Sequence, residues 1–323
     1  MQYRALGKTG LQISALGFGC GNVGGLMVRG APGERERAVG RAIELGINYF
    51  DTAPLYGDGL SEEHLGATLK SLAADVLVGT KVRLTPAERR DIPGAVVRSL
   101  EASLKRLRLE RVDLLQLHNL IGGPDGLPVA QVLGDVVVAL QRLKKDGKTR
   151  FFGLTALGEA SALHEVIAAG AFDTAQVCYN LLNPSAGFPI PTGFPAPDFR
   201  SLLARCREHT VGVIGIRALA AGALSGTPVR HPVAVPTVAP IASGPDYESD
   251  VARAKKLSPL VEEGHATDLV EAALRFVVTS DAVSTVLLGY SSLDQLEHAA
   301  AAVAKGPLAP TAIERVRSLW RQM

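Results

Sequence analysis

Four side chains in this sequence suit proton transfer at a carbonyl: Asp51, Tyr56, Lys81 and His118. Each stands at or just beyond the end of a short apolar run. Asp51 ends Tyr49-Phe50-Asp51, and Tyr56 follows in Pro54-Leu55-Tyr56-Gly57. Lys81 follows Val78-Gly79-Thr80, and His118 follows Leu114-Leu115-Gln116-Leu117. A tyrosine titrates near ~10, and a neighbouring ammonium favours the phenolate and lowers that value. Asp51 would hold Lys81 charged and oriented. His118 would hydrogen-bond the carbonyl, and Tyr56 would act as the general acid as hydride reaches the carbon. None of the four can deliver hydride, so that chemistry requires a cofactor. A different use of the same residues makes Lys81 a Schiff-base nucleophile in an isomerase or aldolase.

The elements that must bring these residues together are legible as an alternation. Strand-like runs fall at Ser14–Gly19, Ile47–Asp51, Asp75–Thr80, Val112–Leu117, Arg150–Leu154, Thr174–Cys178, Val211–Ile216 and Val283–Leu288. Amphipathic segments lie between them. In Pro93–Leu107, Val96, Leu100, Leu104 and Leu107 share one face; in Val129–Lys145 the stripe is Val132, Val136, Val137, Leu140 and Leu143. Ser61 before Glu62 and Glu63 reads as an N-cap, and Gly147 and Gly170 stand where helices end. Eight strand–helix units predict an α/β fold, a (β/α)₈ TIM barrel spanning residues 1–323 as one domain, with a doubly wound sheet as competitor. In a barrel the C-terminal strand ends share one face, which would gather the four polar residues. Tyr3 to Ser14, with Gly7-Lys8-Thr9-Gly10 at its middle, reads as a hairpin before the first barrel strand. Two inserts break the rhythm: Asn119–Pro128, and Ala218–Asp250 with five prolines. Together with Gly21–Gly33 they should wall the pocket as long βα loops.

Composition narrows the partners. Lys plus Arg number 34 and Asp plus Glu 32, a balance that predicts neither a nucleic-acid nor a membrane partner. The three cysteines, Cys20, Cys178 and Cys206, show no CxxC spacing and suit a reducing, cytoplasmic compartment. The seven histidines form no HxH or HExxH, so no metal is expected. Gly7-Lys8-Thr9 fails as a P-loop because residue 2 is Gln2 where that motif needs glycine. Gly19-Cys20-Gly21-Asn22-Val23-Gly24 matches GxGxxG, but Gly25, Gly30, Pro32 and Gly33 follow where a dinucleotide fold needs a helix.

Several segments together resemble the aldo-keto reductase family over nearly the whole chain. They are Tyr3 to Gly10, Asn48 to Gly57, Gly79-Thr80-Lys81, Asp113 to His118 and Gln176 to Asn180. The resemblance implies a barrel with an Asp-Tyr-Lys-His tetrad, here Asp51, Tyr56, Lys81 and His118, and NADP(H) bound across the barrel mouth, with NAD(H) as the alternative. It implies that Gln176 holds the nicotinamide carboxamide and that Gly19, Cys20 and Asp51 line the cofactor end of the early strands. It also assigns cofactor contacts to Thr155, to Ile216, Arg217, Leu219, Gly222 and Leu224 after the seventh strand, and to Gly289, Ser291 and Gln295 after the eighth. The chain departs from the pattern at three places. Thr155-Ala156 replaces Ser-Asn, Ile216-Arg217 replaces Tyr-Ser, and His298-Ala299 replaces Glu-Asn. Ile216 has no π-face to stack on a nicotinamide, and Arg217 stands one residue on, where it would reach a pyrophosphate or pair with Asp246 or Glu248. The implied activity is interconversion of an aldehyde or ketone, such as a sugar, with its alcohol. The same fold would also serve a cofactor-sensing regulatory subunit. Substrate identity, direction and oligomeric state stay open.

Overall fold

The computed structural model describes residues 1–323. A short antiparallel hairpin comes first, β1 (Tyr3–Ala5) and β2 (Gln12–Ser14), with Tyr3 opposite Ser14. Eight parallel strands follow: β3 (Leu16–Gly19), β4 (Tyr49–Asp51), β5 (Leu77–Val82), β6 (Val112–Leu117), β7 (Thr149–Ala156), β8 (Thr174–Cys178), β9 (Gly212–Ile216) and β10 (Val283–Gly289). They close in the order β10-β3-β4-β5-β6-β7-β8-β9, with helices outside. The (β/α)₈ barrel expected from the alternation is therefore the fold, and the open sheet is not.

Side-chain parity builds the interior. Successive residues of a strand face opposite sides, so Tyr49 and Asp51 both point inward while Phe50 points out and stacks on Phe18 at 5.2 Å. Gly79 is the inward residue of β5 beside Tyr49; a Cβ there would stand 2.5 Å from the tyrosine hydroxyl. Leaving that space empty lets the Tyr49 ring lie across the barrel. One step up, the inward residue of β5 is Lys81. The barrel floor is apolar: Leu6, Leu11 and Ile13 of the hairpin pack with Tyr49, Leu114 and Ile214. Arg4 staples the hairpin to the start of β10 and the segment before it, donating to the carbonyls of Val283 at 2.7 Å and Val278 at 2.9 Å. A separate cluster of 83 buried residues fills the layer between strands and helices.

Several boundaries differ from the sequence reading, each for a local reason. Ser14 belongs to the hairpin, where Asn48 and its own hydroxyl tie it to the next loop, so β3 begins at Leu16. β5 and β7 run two residues further than expected, to Val82 and Ala156, because polar residues stay in strand when they face the barrel interior. Ser61 is not an N-cap. The helix Leu60–Ser71 starts from Gly59 at φ 94°, and the Ser61 hydroxyl instead donates 2.8 Å to the Cys20 carbonyl. Residues 129–145 form a helix interrupted by a π-helical turn at Val132–Val136, which keeps Val132, Val136 and Val137 all buried. A single helical turn, Leu26–Arg29, is all that follows the GxGxxG segment directly. The proline-rich insert ends sooner than predicted: Asp246 caps a helix at Tyr247–Lys255, so Asp250 is helical and buried.

Candidate active site

The inward residues at the C-terminal strand ends surround a cavity of about 660 Å³. Asp51 is its electrostatic hub. One carboxylate oxygen pairs with Lys81 Nζ; the other accepts from the Tyr49 hydroxyl at 2.9 Å and from Gln176 Nε2 at 2.7 Å. Lys81 also donates to the Thr52 carbonyl at 2.9 Å. Both members of the Asp51–Lys81 pair are 2% exposed. Burial alone works against the Lys81 charge, but Asp51 and Tyr56 outweigh it and raise its pKa above the usual lysine value. Lysine is therefore firmly cationic here.

Tyr56 stands on the cavity wall, its ring centroid 5.0 Å from Lys81 Nζ. Its ring meets that of His118 edge-on at 6.2 Å. Burial pushes the Tyr56 phenol above its ordinary value; Lys81 pulls it down, and Asp51 pushes up again. The sequence expectation of a lowered value thus holds for the contribution of Lys81 but not for the sum. The outcome is a phenol held protonated beside a fixed ammonium, which can give its proton to an oxygen in the cavity and pass the resulting charge to Lys81. His118 is depressed to about 3 by burial, then by Lys81 and Arg83. It is neutral at any ordinary pH. Its Nδ1 is buried without a partner, so the ring has hydrogen-bonding capacity to spare.

The opposite wall comes from β7 to β10. Thr155 Oγ1 donates to Gln176 Oε1 at 3.3 Å, so that amide is anchored on both sides, by Thr155 and Asp51. Ile216 is the inward residue ending β9. Arg217 follows in a left-handed turn at φ 59°, which swings its guanidinium to the cavity. Neither Asp246 nor Glu248 pairs with it. Asp246 is spent capping the 247–255 helix through Ser249 N at 2.7 Å, and Arg217 Nε and Nη2 are buried with no partner. Burial lowers its pKa. The structure therefore holds an unsatisfied cation in the wall.

Of the residues the sequence proposed, Gly19, Asp51, Tyr56, His118, Thr155, Gln176, Ile216, Arg217, Leu219, Gly222, Gly289, Ser291 and Gln295 line this one cavity. Lys81 lies behind Asp51 and Tyr56. Two do not belong. Cys20 continues the outward parity of Phe18, so its thiol is 1% exposed in the core; Leu224 is fully buried on the core side of the turn at Ala220–Ser225. The Asn119–Pro128 insert supplies no wall either. Its Asn119 side chain bonds both the N–H and the carbonyl of Leu84 at 2.8 Å, which pins the insert to a neighbouring loop. The sequence reading missed Arg230 and Tyr247. Arg230 crosses the cavity from the long insert, donating to the carbonyls of Val235, Ala221 and Val23 and lying 5.2 Å from the Tyr247 ring centroid. Arg230 is in a loop, which carries no periodicity, and Tyr247 is the first residue of a helix the sequence reading does not expect there. Gly222, at φ 107°, has the Tyr247 hydroxyl 3.3 Å from where a Cβ would stand. No three His, Cys, Asp or Glu side chains gather as a metal-ligand set, and no helix is long and apolar enough to cross a membrane.

Comparison with known proteins places the chain. The pattern of the Aldo/keto reductase family matches residues 15–321. L-galactose dehydrogenase of Arabidopsis thaliana is 33% identical over 312 residues, spanning 94% of this chain and 88% of that protein. A putative voltage-gated potassium channel subunit beta of Schizosaccharomyces pombe is 29% identical over 319 residues, 91% of this chain and 86% of that protein. Among solved structures, the holo form of an aldo-keto reductase from Bacillus halodurans superimposes with a TM-score of 0.74 at 26% identity, covering 99% of this chain and 96% of the other.

Proposed function

The chain belongs to the aldo/keto reductase family, and from that premise we propose that it is a nicotinamide-dependent sugar dehydrogenase, interconverting an aldose or related carbonyl with its alcohol. That it is an NAD(P)-dependent oxidoreductase follows from the family and its dehydrogenase relatives. The sugar is the finer step, supported by the likeness to L-galactose dehydrogenase. The observation that carries the reading is the buried Lys81–Asp51 pair set behind a cavity-lining Tyr56.

The cavity suits the cofactor. The guanidinium of Arg217 has two buried nitrogens without partners, a ready receptor for a phosphate oxygen. Gln176 and Thr155 would hold the nicotinamide end. Ile216 would cover one face of the ring, and Ser291 and Gln295 would meet the adenosine end. When bound, the cofactor supplies or accepts the hydride. The protein does the rest. His118, neutral, donates to the substrate oxygen and places it by Tyr56. Tyr56 gives that oxygen its proton in reduction and takes it back in oxidation. Lys81 stabilises the phenolate, and Asp51 keeps Lys81 in place. The family resemblance implies NADP(H), with NAD(H) as the alternative. The channel-subunit relative supports a second reading, a cofactor-sensing binding subunit.

Tyr56→Phe tests the proposal. It should retain cofactor affinity and lose at least ~10²-fold in turnover of an aldose panel, the range of general acid catalysis. Parent-like turnover in that variant removes Tyr56 from the chemistry. A parent that binds cofactor but turns over nothing across the panel favours the binding subunit.

A further inference from the structure

We infer that the cavity selects NAD(H) over NADP(H), with Asp294 as the discriminating residue; this rests on the dinucleotide reading above. The two cofactors differ by one phosphate on the adenosine ribose, which carries roughly −1.5 to −2 charges at neutral pH. Accepting that group requires cations or uncommitted N–H donors. With the nicotinamide end at Tyr56 and Gln176, an extended dinucleotide carries its adenosine to the far end of the cavity. There the wall is the segment from Gly289 to Gln295, and His298 beyond it.

That wall offers a phosphate little. No Lys or Arg occurs from Gly289 to Ala304. The ionisable side chains it presents to the cavity are Asp294 and His298, and His298 Nε2 lies 3.1 Å from Asp268. Arg37, on the neighbouring helix Pro32–Glu44, does not line the cavity, and three other arginines of adjoining segments are committed elsewhere. Arg29 donates to the carbonyls of Val233 and Asn22, Arg41 to Glu297 and Glu44, and Arg230 to three carbonyls. The helix Leu293–Ala304 does point its positive end this way. Asp294 in its first turn already occupies that field, and two of the local donors are taken: Gln295 N by Ser292 Oγ, and Ser291 N by Gln295 Oε1. A 2′-phosphate would therefore meet the Asp294 carboxylate where it needs cations. A free ribose hydroxyl meets an acceptor in Asp294.

The test is a titration of the purified protein with NADH and with NADPH, followed by nicotinamide fluorescence, at low and high salt. NADH should bind about tenfold more tightly at low salt. The gap should narrow at ~1 M salt, because screening weakens a repulsion between exposed charges. Asp294→Arg should tighten NADPH and close the gap, and Asp294→Asn should fall between. Equal affinities, or NADPH the tighter, overturn the inference and leave the dinucleotide reading standing. No binding of either nucleotide overturns both. The parent's own ratio and its salt dependence decide the matter even where a variant fails to fold.

Discussion

The two ends of the barrel are built from the same strands and solve opposite problems. At the hairpin end Leu6, Leu11, Ile13, Leu114 and Ile214 make an apolar plug. At the other end Asp51 stands two residues beyond Tyr49 and His118 four beyond Leu114, with Lys81, Thr155 and Gln176 at the same end of β5, β7 and β8. Tyr49 joins the halves, its ring in the plug and its hydroxyl on Asp51. The lesson is that the dry floor sets the strength of the charges above it. Water that would weaken the Asp51–Lys81 attraction is excluded from below, so the pair is both well held and costly to break.

Breaking the charged end should have the largest effect. Lys81→Met leaves Asp51 buried without its counter-ion and should cost about 3–5 kcal/mol of stability, read from urea midpoints. Asp51→Asn added to it should recover much of that loss. In the surviving protein the pKa of Tyr56 rises further, so oxidation, which needs the phenolate, shifts to higher pH; an unmoved pH profile would count against the coupling. Breaking the apolar end should cost somewhat less and do something different. Ile13→Ala removes a fully buried side chain and should lose about 3 kcal/mol while leaving cofactor affinity intact. A weakened cofactor Kd in that variant would mean that the plug also positions the site.

Arg217→Ala sharpens the comparison from the far wall. The side chain has no ion pair to lose, so stability should hold, while cofactor affinity falls by about tenfold and loses part of its salt dependence. Unchanged affinity at low and high salt would deny Arg217 a phosphate. The smallest effect is His118's. Its folded-state pKa of about 3 lies below the ~6.5 of the unfolded chain. Between those values the unfolded state binds the extra proton, so stability falls as pH drops from about 6.5 toward 3, by roughly 0.7 kcal/mol between pH 7 and 6. His118→Gln should flatten that slope in paired urea titrations; an identical slope would place the acid sensitivity elsewhere.

Much of this was legible before the fold. Val112–Leu117 and Thr174–Cys178 have the bounds their apolar runs predicted. The gathering of Asp51, Tyr56, Lys81 and His118 follows from strand ends meeting on one face. What the residues alone hid is parity and direction. Cys20 sits beside a cavity-lining glycine yet faces the core, since adjacent strand residues point oppositely. Lys81 read as the end of a run because a charge seldom continues a buried strand, and only its pairing with Asp51 lets β5 run on. Arg230 lies in an irregular segment, where spacing carries no signal, and Tyr247 opens a helix that the sequence reading places inside the long insert.

The pairing of β3 with β10 has a consequence for how the chain is made. Leu16 meets Val286 and Gly19 meets Gly289, so the ring shuts across nearly the whole polypeptide. Synthesis proceeds at roughly 5–20 residues per second, and β3 emerges long before its partner exists. Until Gly289 clears the ribosome, the growing sheet carries two open edges, β3 at one side and the newest strand at the other. Open edges pair with whatever strand is near. The nascent chain thus passes through a window of roughly tens of seconds in which both edges stand open, and slowing translation before residue 283 should lengthen it and lower the soluble yield.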